Sequence, residues 1–186
     1  ITPAPVDRGI TNFFDNVADV RNAVNNALQF KMSRAFTSVG RLVVNSTVGV
    51  LGFVDVASNL NMPKYNEDFG QTLGTWGFAS GPYIVLPFLG PSTGRDTIGL
   101  VADWYTDPLT YVNDGGVAWG LKALRVIDRR ADLLAASKVL EQAAFDPYAF
   151  VRDGFLQRRR SDIYDGNPPP EPDDLLDLAD DGEPAE

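Results

Sequence analysis

The stretch GFASGPYIVLPFLGPSTGRD, residues 77–96, decides how this chain is read. Its apolar run, residues 83–89, is preceded by Pro82, broken by Pro87 and ringed by glycines. The run is too short to span a bilayer, which takes roughly 18 or more apolar residues. Pro87 excludes a central strand position and breaks a helix. Yet the segment is too apolar for an ordinary surface loop. Gly70 with Gly74, Gly77 with Gly81, and Gly90 with Gly94 stand four apart. That spacing lets backbones approach closely, as where helices pack in lipid. Turns and helix caps produce the same spacing.

On either side the periodicity is helical. Ile10, Phe13, Phe14, Val17, Val20, Val24 and Leu28 recur at helical spacing. Met32, Ala35, Phe36, Val39, Leu42 and Val43 predict a second helix ending near Gly49. Asp114 opens a long helix with Val117, Leu121, Leu124, Ile127, Ala131 and Leu134 on one face. Asp146-Pro147 is a helix start, an N-cap side chain followed by Pro at the first helical position. Phe150, Val151 and Phe155 form that helix's apolar stripe. Strand-like alternation is weak throughout, so the expected class is all-α.

Composition removes several kinds of chemistry. The chain has no histidine and no cysteine. The usual neutral-pH general base, a thiolate nucleophile and the commonest transition-metal ligands are therefore missing. The net charge of −9 is unevenly placed. Nine of the 25 acidic residues and none of the 16 basic ones lie in residues 165–186, which leaves the body neutral. A neutral body with an acidic tail argues against nucleic acid as a partner. The tail is Pro-rich and acidic and reads as disordered, which sets a helical domain at 1–164 and a tail at 165–186.

The motifs were weighed against plainer readings. Gly90-Pro91-Ser92-Thr93-Gly94 matches the nucleophile-elbow pattern, but no histidine is present to serve Ser92. A cap by Ser92 or Thr93 at the start of a helix, with Asp96 three residues after Thr93, fits better. Arg95 at that helix start either meets a phosphate head group or pairs with a nearby carboxylate. Arg158-Arg159-Arg160 reads as a solvated, dipole-favouring helix end, with contact to anionic head groups as the rival. Trp76, Tyr83, Trp104, Tyr105, Tyr111 and Trp119 gather in or after the glycine-rich middle. Such residues favour membrane–water interfaces. From the residues alone, the chain is a non-spanning helical domain suited to a membrane interface or to holding a lipid.

Several ordered blocks then carry a resemblance. Residues 45–57, NSTVGVLGFVDVA, are similar to a block of the MlaA (VacJ) family of outer-membrane lipoproteins. EDFGQTLG at 67–74, GPYIVLP at 81–87, GPSTGRD at 90–96, RRADLL at 129–134 and DPYAFVR at 146–152 follow the same family in order. The resemblance covers about residues 6–160. It implies a ring of amphipathic helices in the inner leaflet of the outer membrane of a Gram-negative bacterium. It further implies a central channel that takes strayed phospholipids from the outer leaflet and passes them to a periplasmic carrier protein. Association with a trimeric porin is implied as well, with no cofactor and no covalent chemistry. Family members begin with a signal peptide, a lipid-carrying cysteine and a further helical segment. The expectation is therefore a lipid anchor that this chain does not show, and an N-terminally shortened domain.

Under that reading Tyr83, Ile84, Val85, Leu86 and Phe88 meet acyl chains. Gly81, Pro82, Pro87, Gly90 and Gly94 supply the hinge or gate, and Arg95, Asp96 and Arg130 the polar side of the channel. Structural ion pairs are the rival for those three charges. Two other functions remain open: a membrane-associated scaffold that docks a porin without moving lipid, and a hydrolase using Ser92.

Overall fold

The computed structural model describes residues 3–87, 89–128 and 146–170. In chain order these hold α1 (Ala4–Leu28), α2 (Met32–Thr47), α3 (Val56–Asn59), α4 (Phe69–Thr75), β1 (Tyr83–Leu86), β2 (Gly90–Thr93) and α5 (Gly94–Thr106). A 3-10 turn at Pro108–Tyr111, helical residues 115–128 (α6) and α7 (Pro147–Ile163) follow. The fold is mainly helical, as expected. The predicted face beyond residue 128 lies outside the described residues.

Short polar side chains set the helix starts. Asp55 accepts from the Ser58 amide, Asp68 from Gln71, Thr93 from Asp96, and Asp146 from Tyr148 and Ala149. Each cap satisfies donors that a helix leaves open at its first turn. Thr93 is thus the cap foreseen at residues 92–96. α1 and α2 form an antiparallel hairpin about residues 29–31, with Asn16 bonded to Ser46 and Asp19 beside Arg41.

The polarity of the body is inverted. Among the described residues the buried hydrophobic side chains are Phe14, Ala35, Ala57 and Leu109. The inward face of α1 carries Asn16, Asp19, Asn22, Asn25 and Asn26, and Gln29 follows at its C-terminal end, all buried. α2 buries Ser38, Arg41 and Asn45 and turns Met32, Phe36, Val39 and Val43 outward. α5 exposes Ile98, Val101, Trp104 and Tyr105. Hydrophobic periodicity located α1 and α2; the α2 stripe turns mostly outward, whereas in α1 Phe14 is buried, Val24 is exposed and the rest of the stripe is half-buried. No described helix is long and apolar enough to cross a membrane.

Hydrogen bonds take the place of an oily core. Arg41 Nη2 reaches both Asp55 oxygens at 3.1 Å, and its Nη1 donates to the Met62 carbonyl at 2.5 Å. Asn45 donates to Asp55 at 3.1 Å and accepts from the Ala57 amide at 2.9 Å. Farther along, Thr72 donates to Asn25, Asn25 donates to Asp103, and Asp103 also accepts from the Phe69 amide. That chain of bonds links α1, α4 and α5.

The glycine pairs serve different ends. A Cβ at Gly99 would lie 2.5 Å from the Gly70 nitrogen, so α4 and α5 touch backbone to backbone. A Cβ at Gly74 would meet the Ile163 side chain at 2.7 Å, so α7 packs there. Gly77 and Gly81, with φ of 90° and 70°, are turn residues instead. The apolar run itself begins as a strand, which the all-α reading missed. β1 pairs antiparallel with β2, Tyr83 opposite Thr93 and Leu86 opposite Gly90. Both strands are edges, so Pro87 in the turn and Pro91 in β2 break no central ladder.

α7 is fastened by Arg159. Its guanidinium donates to Asp68 at 2.6 and 2.9 Å and to Asp96 at 3.0 and 2.9 Å. Asp165, the first residue of the expected tail, is held by Lys31 and Arg34.

Two predictions follow from this polar interior. Burial alone would raise the Asp55 carboxyl, but Ser58, Asn45 and Arg41 hold it down at about 2, from an ordinary 3.8. A depressed folded value gives stability that is complete above the unfolded value and lost as pH falls from about 4 to 2. Asp55→Asn is expected to cost about 1–2 kcal/mol at pH 7 after solvent screening, about 2–8 °C in Tm. It should also flatten that acid limb in circular-dichroism melts; an unchanged limb refutes the assignment. Arg159→Leu strands two carboxylates and is expected to cost about 3–5 kcal/mol. Hydrogen exchange across residues 147–163 should accelerate, and adding Asp68→Asn and Asp96→Asn should restore part of the protection.

Candidate functional site

Two cavities meet between the hairpin, α4, α5 and α7. The smaller is about 120 Å³. One of its walls is apolar: Leu86 from β1, Leu89 from the turn, Pro91 from β2, Leu100 from α5 and Phe155 from α7. Asp68, Ser92, Asp96, Asp103 and Arg159 supply the polar part of its lining. The larger cavity, about 720 Å³, shares Asp68, Leu89, Pro91, Phe155 and Arg159 with the first. It adds the charged side chains of Arg34, Lys64, Glu67, Arg158, Asp162 and Asp165. The shared residues make these two chambers of one open cleft. One chamber is half apolar, and the other is rich in charge of both signs.

The electrostatics of the polar wall follow from burial and pairing. Burial would raise the Asp68 carboxyl, but the bonds and charge of Arg159 outweigh it and hold it low. Burial would lower Arg159 in turn, and Asp68 with Asp96 push it up instead. Asp103 faces no such partner. Burial pushes its carboxyl up, only partly offset by the Arg21 charge and the Phe69 amide. Glu67 is also raised by burial, against Gln29 and Lys31. Among the described residues no group of three or more Asp or Glu side chains is arranged to hold a metal ion.

The residues singled out in the sequence divide. Leu86 and Asp96 line the cleft. Ile84 and Val85 lie in β1, opposite Ser92 and Pro91, and do not line it. Tyr83 packs edge-on against Tyr148 and Phe155, at 5.9 and 6.0 Å, and so props the hairpin on α7. Arg95 is buried, bonds Asp96 at 3.0 Å and reaches the Phe78 carbonyl. It takes the ion-pair alternative and does not line the cleft. Phe88 and Arg130 lie outside the described residues. Gly81 at the hairpin's base and Gly90 beside its turn have φ of 70° and 85°, and at the base the Gly94 amide bonds the Pro82 carbonyl at 3.0 Å. Pro87 sits at the turn. Ser92 shares a hydrogen bond with the Thr97 hydroxyl and donates to the Thr93 carbonyl, neither of them a base.

Asp68, Leu100, Asp103, Phe155 and Arg159 were not foreseen as cleft residues. For Arg159 a signal existed. It stands four residues after Phe155, which places both on one helix face. The arginine triplet is therefore not uniform: the Arg158 side chain is 83% exposed and that of Arg159 only 12%.

Known proteins share this arrangement of sequence and fold. The MlaA lipoprotein family profile matches residues 1–162. The intermembrane phospholipid transport system lipoprotein MlaA of Escherichia coli K12 is 36% identical over 160 residues, covering 84% of this chain and 62% of that one. An uncharacterized protein of Rickettsia felis is 32% identical over 164 residues, covering 88% of this chain and 65% of its own. The chain thus spans just under two thirds of the length of these relatives. A chain from a solved structure concerning the structural basis for maintenance of bacterial outer membrane lipid asymmetry superposes with a TM-score of 0.73 at 31% identity. That match covers 89% of this chain and 82% of the other. With the profile matching residues 1–162 and a relative 36% identical over 160 residues, the chain belongs to the MlaA lipoprotein family.

Proposed function

We propose that the protein moves glycerophospholipids between leaflets or carriers at the outer membrane, and so maintains its lipid asymmetry. The observation that carries this is the two-chamber cleft, half apolar and half charged, inside a body whose outer faces are apolar. Each methylene exposed to water costs about 0.8 kcal/mol, so a whole acyl chain costs on the order of 10 kcal/mol. A charged head group costs several kcal/mol or more to bring into hydrocarbon. A route with one oily and one charged wall lowers both costs at once.

In this reading the body lies in the periplasmic leaflet of the outer membrane with Phe36, Val43, Ile98 and Trp104 in contact with lipid or a porin. Strayed phospholipid enters from the outer leaflet, and its acyl chains pass Leu86, Leu89, Leu100 and Phe155. The hairpin between Gly81 and Gly94 gates that passage. Arg130 contributes to the polar side. The lipid leaves to a periplasmic carrier. No bond is made or broken, so the protein is not an enzyme. The relatives named for phospholipid transport and the structure concerned with lipid asymmetry support the assignment.

Native mass spectrometry of the protein extracted gently from membranes tests it. A stoichiometric glycerophospholipid is expected, lost at least tenfold in Leu86→Asp and Leu100→Asp while helicity persists. No retained lipid, with a porin still bound, moves the assignment to a scaffold.

A further inference from the structure

The larger chamber carries four cations and four carboxylates, and their pairing is uneven. Lys64 lies 2.5 Å from Asp15. Arg34 is bonded to Asp165 and stacks over Tyr65 at 4.9 Å. Arg159 is saturated by Asp68 and Asp96. Glu67 is held by Gln29 and Lys31, and Asp165 by Lys31 and Arg34. One pair is left loose. Among the described residues, the ionic neighbour of Arg158 is Asp162, at 4.0 Å and with no hydrogen bond between them. Their side chains are 83% and 36% exposed, and both line the chamber.

We infer that Arg158 and Asp162 are the head-group reader of the cleft, and that they select a zwitterionic, ammonium-bearing phospholipid. The inference rests on the transport reading above and names its substrate class. The two residues are one helical turn apart on α7, so their stems stand about 5–6 Å from each other. A head group whose phosphodiester and ammonium are adjacent can insert between them. Arg158 takes the phosphodiester in a forked contact, and Asp162 takes the ammonium. An exposed i,i+4 pair at 4.0 Å holds little energy of its own, so opening it costs little. The tighter pairs nearby would each strand a buried charge if opened. A glycerol head group satisfies Arg158 equally but offers Asp162 only neutral hydroxyls in place of an ammonium, a weaker contact. The remaining charges of the chamber balance in sign, so they do not supply the missing cation.

The test uses the protein reconstituted with equal amounts of phosphatidylethanolamine and phosphatidylglycerol, with bound lipid extracted and quantified by mass spectrometry. About two- to fivefold enrichment of phosphatidylethanolamine is expected, the size an exposed charge contact supports. Asp162→Asn should bring the ratio to one with total lipid unchanged. Arg158→Gln should lower both lipids together and leave the ratio intact. Both side chains are on the helix surface, and circular dichroism confirms the fold. Equal binding in the unaltered protein, or enrichment that survives Asp162→Asn, overturns the inference while transport stands. An unchanged total in Arg158→Gln overturns its phosphate half. Absence of any bound lipid overturns the transport reading as well.

Discussion

A guanidinium held between two carboxylates governs the centre of this molecule. Arg159 reaches back from α7 to Asp68 at the start of α4 and to Asp96 in the first turn of α5. Asp68 also caps α4, and Arg95 also bonds Asp96. One cation therefore fixes two helix starts and the side chains that line both chambers of the cleft. Taking such charges out of water is costly, and the cost is offset only when every lone pair is met. Four hydrogen bonds from one planar fork meet that demand. The same fork brings Phe155, four residues earlier, against the hairpin through Tyr83. Polar pairing thus positions the apolar wall.

The inverted body follows the same logic. In water, exposing Phe36, Ile98, Trp104 and their neighbours while burying Asn22, Asn26 and Arg41 would be unfavourable on both counts. A lipid surround would remove the first penalty, since apolar faces lose nothing by facing hydrocarbon. A dense hydrogen-bond network removes much of the second. The hydrophobic effect cannot hold such helices together within lipid, where association rests on close packing and hydrogen bonds. Both devices are present. Gly70 against Gly99 gives backbone contact, and Asn25, Thr72 and Asp103 give the bonds.

Much of the helical layout was legible in the sequence because period and caps survive a change of surroundings. The stripes of α1 and α2, the Thr93 cap and the Asp146-Pro147 start all appear where they were read. The direction of the stripes was not legible, because a 3.6-residue period says which residues share a face and not what that face meets. The hairpin was missed because β1, YIVL, is apolar throughout and β2, GPST, carries Gly and Pro, so neither shows alternation. Arg95 was read as lining the channel or pairing with a carboxylate, and it is buried and bonded to the adjacent Asp96. Arg159 hid among three arginines whose roles differ only by helix phase.

The cleft and the inverted body are linked by one further step. A cavity for a phospholipid must present a charged wall, and in a conventional globule that wall would face an oily core at high cost. Here the core is already polar, so the wall of Asp68, Asp96, Asp103 and Arg159 is continuous with the interior that holds the fold. The apolar wall is the exception inside this body. It is carried mostly by a hairpin, Leu86 to Pro91, and by single side chains of α5 and α7. Those two strands pair only with each other among the described residues, and positive-φ glycines stand at Gly81 and Gly90. The apolar wall is thus carried by the element least tied into the polar network, fastened to it through the Thr93 cap of α5 and through Tyr83 against α7.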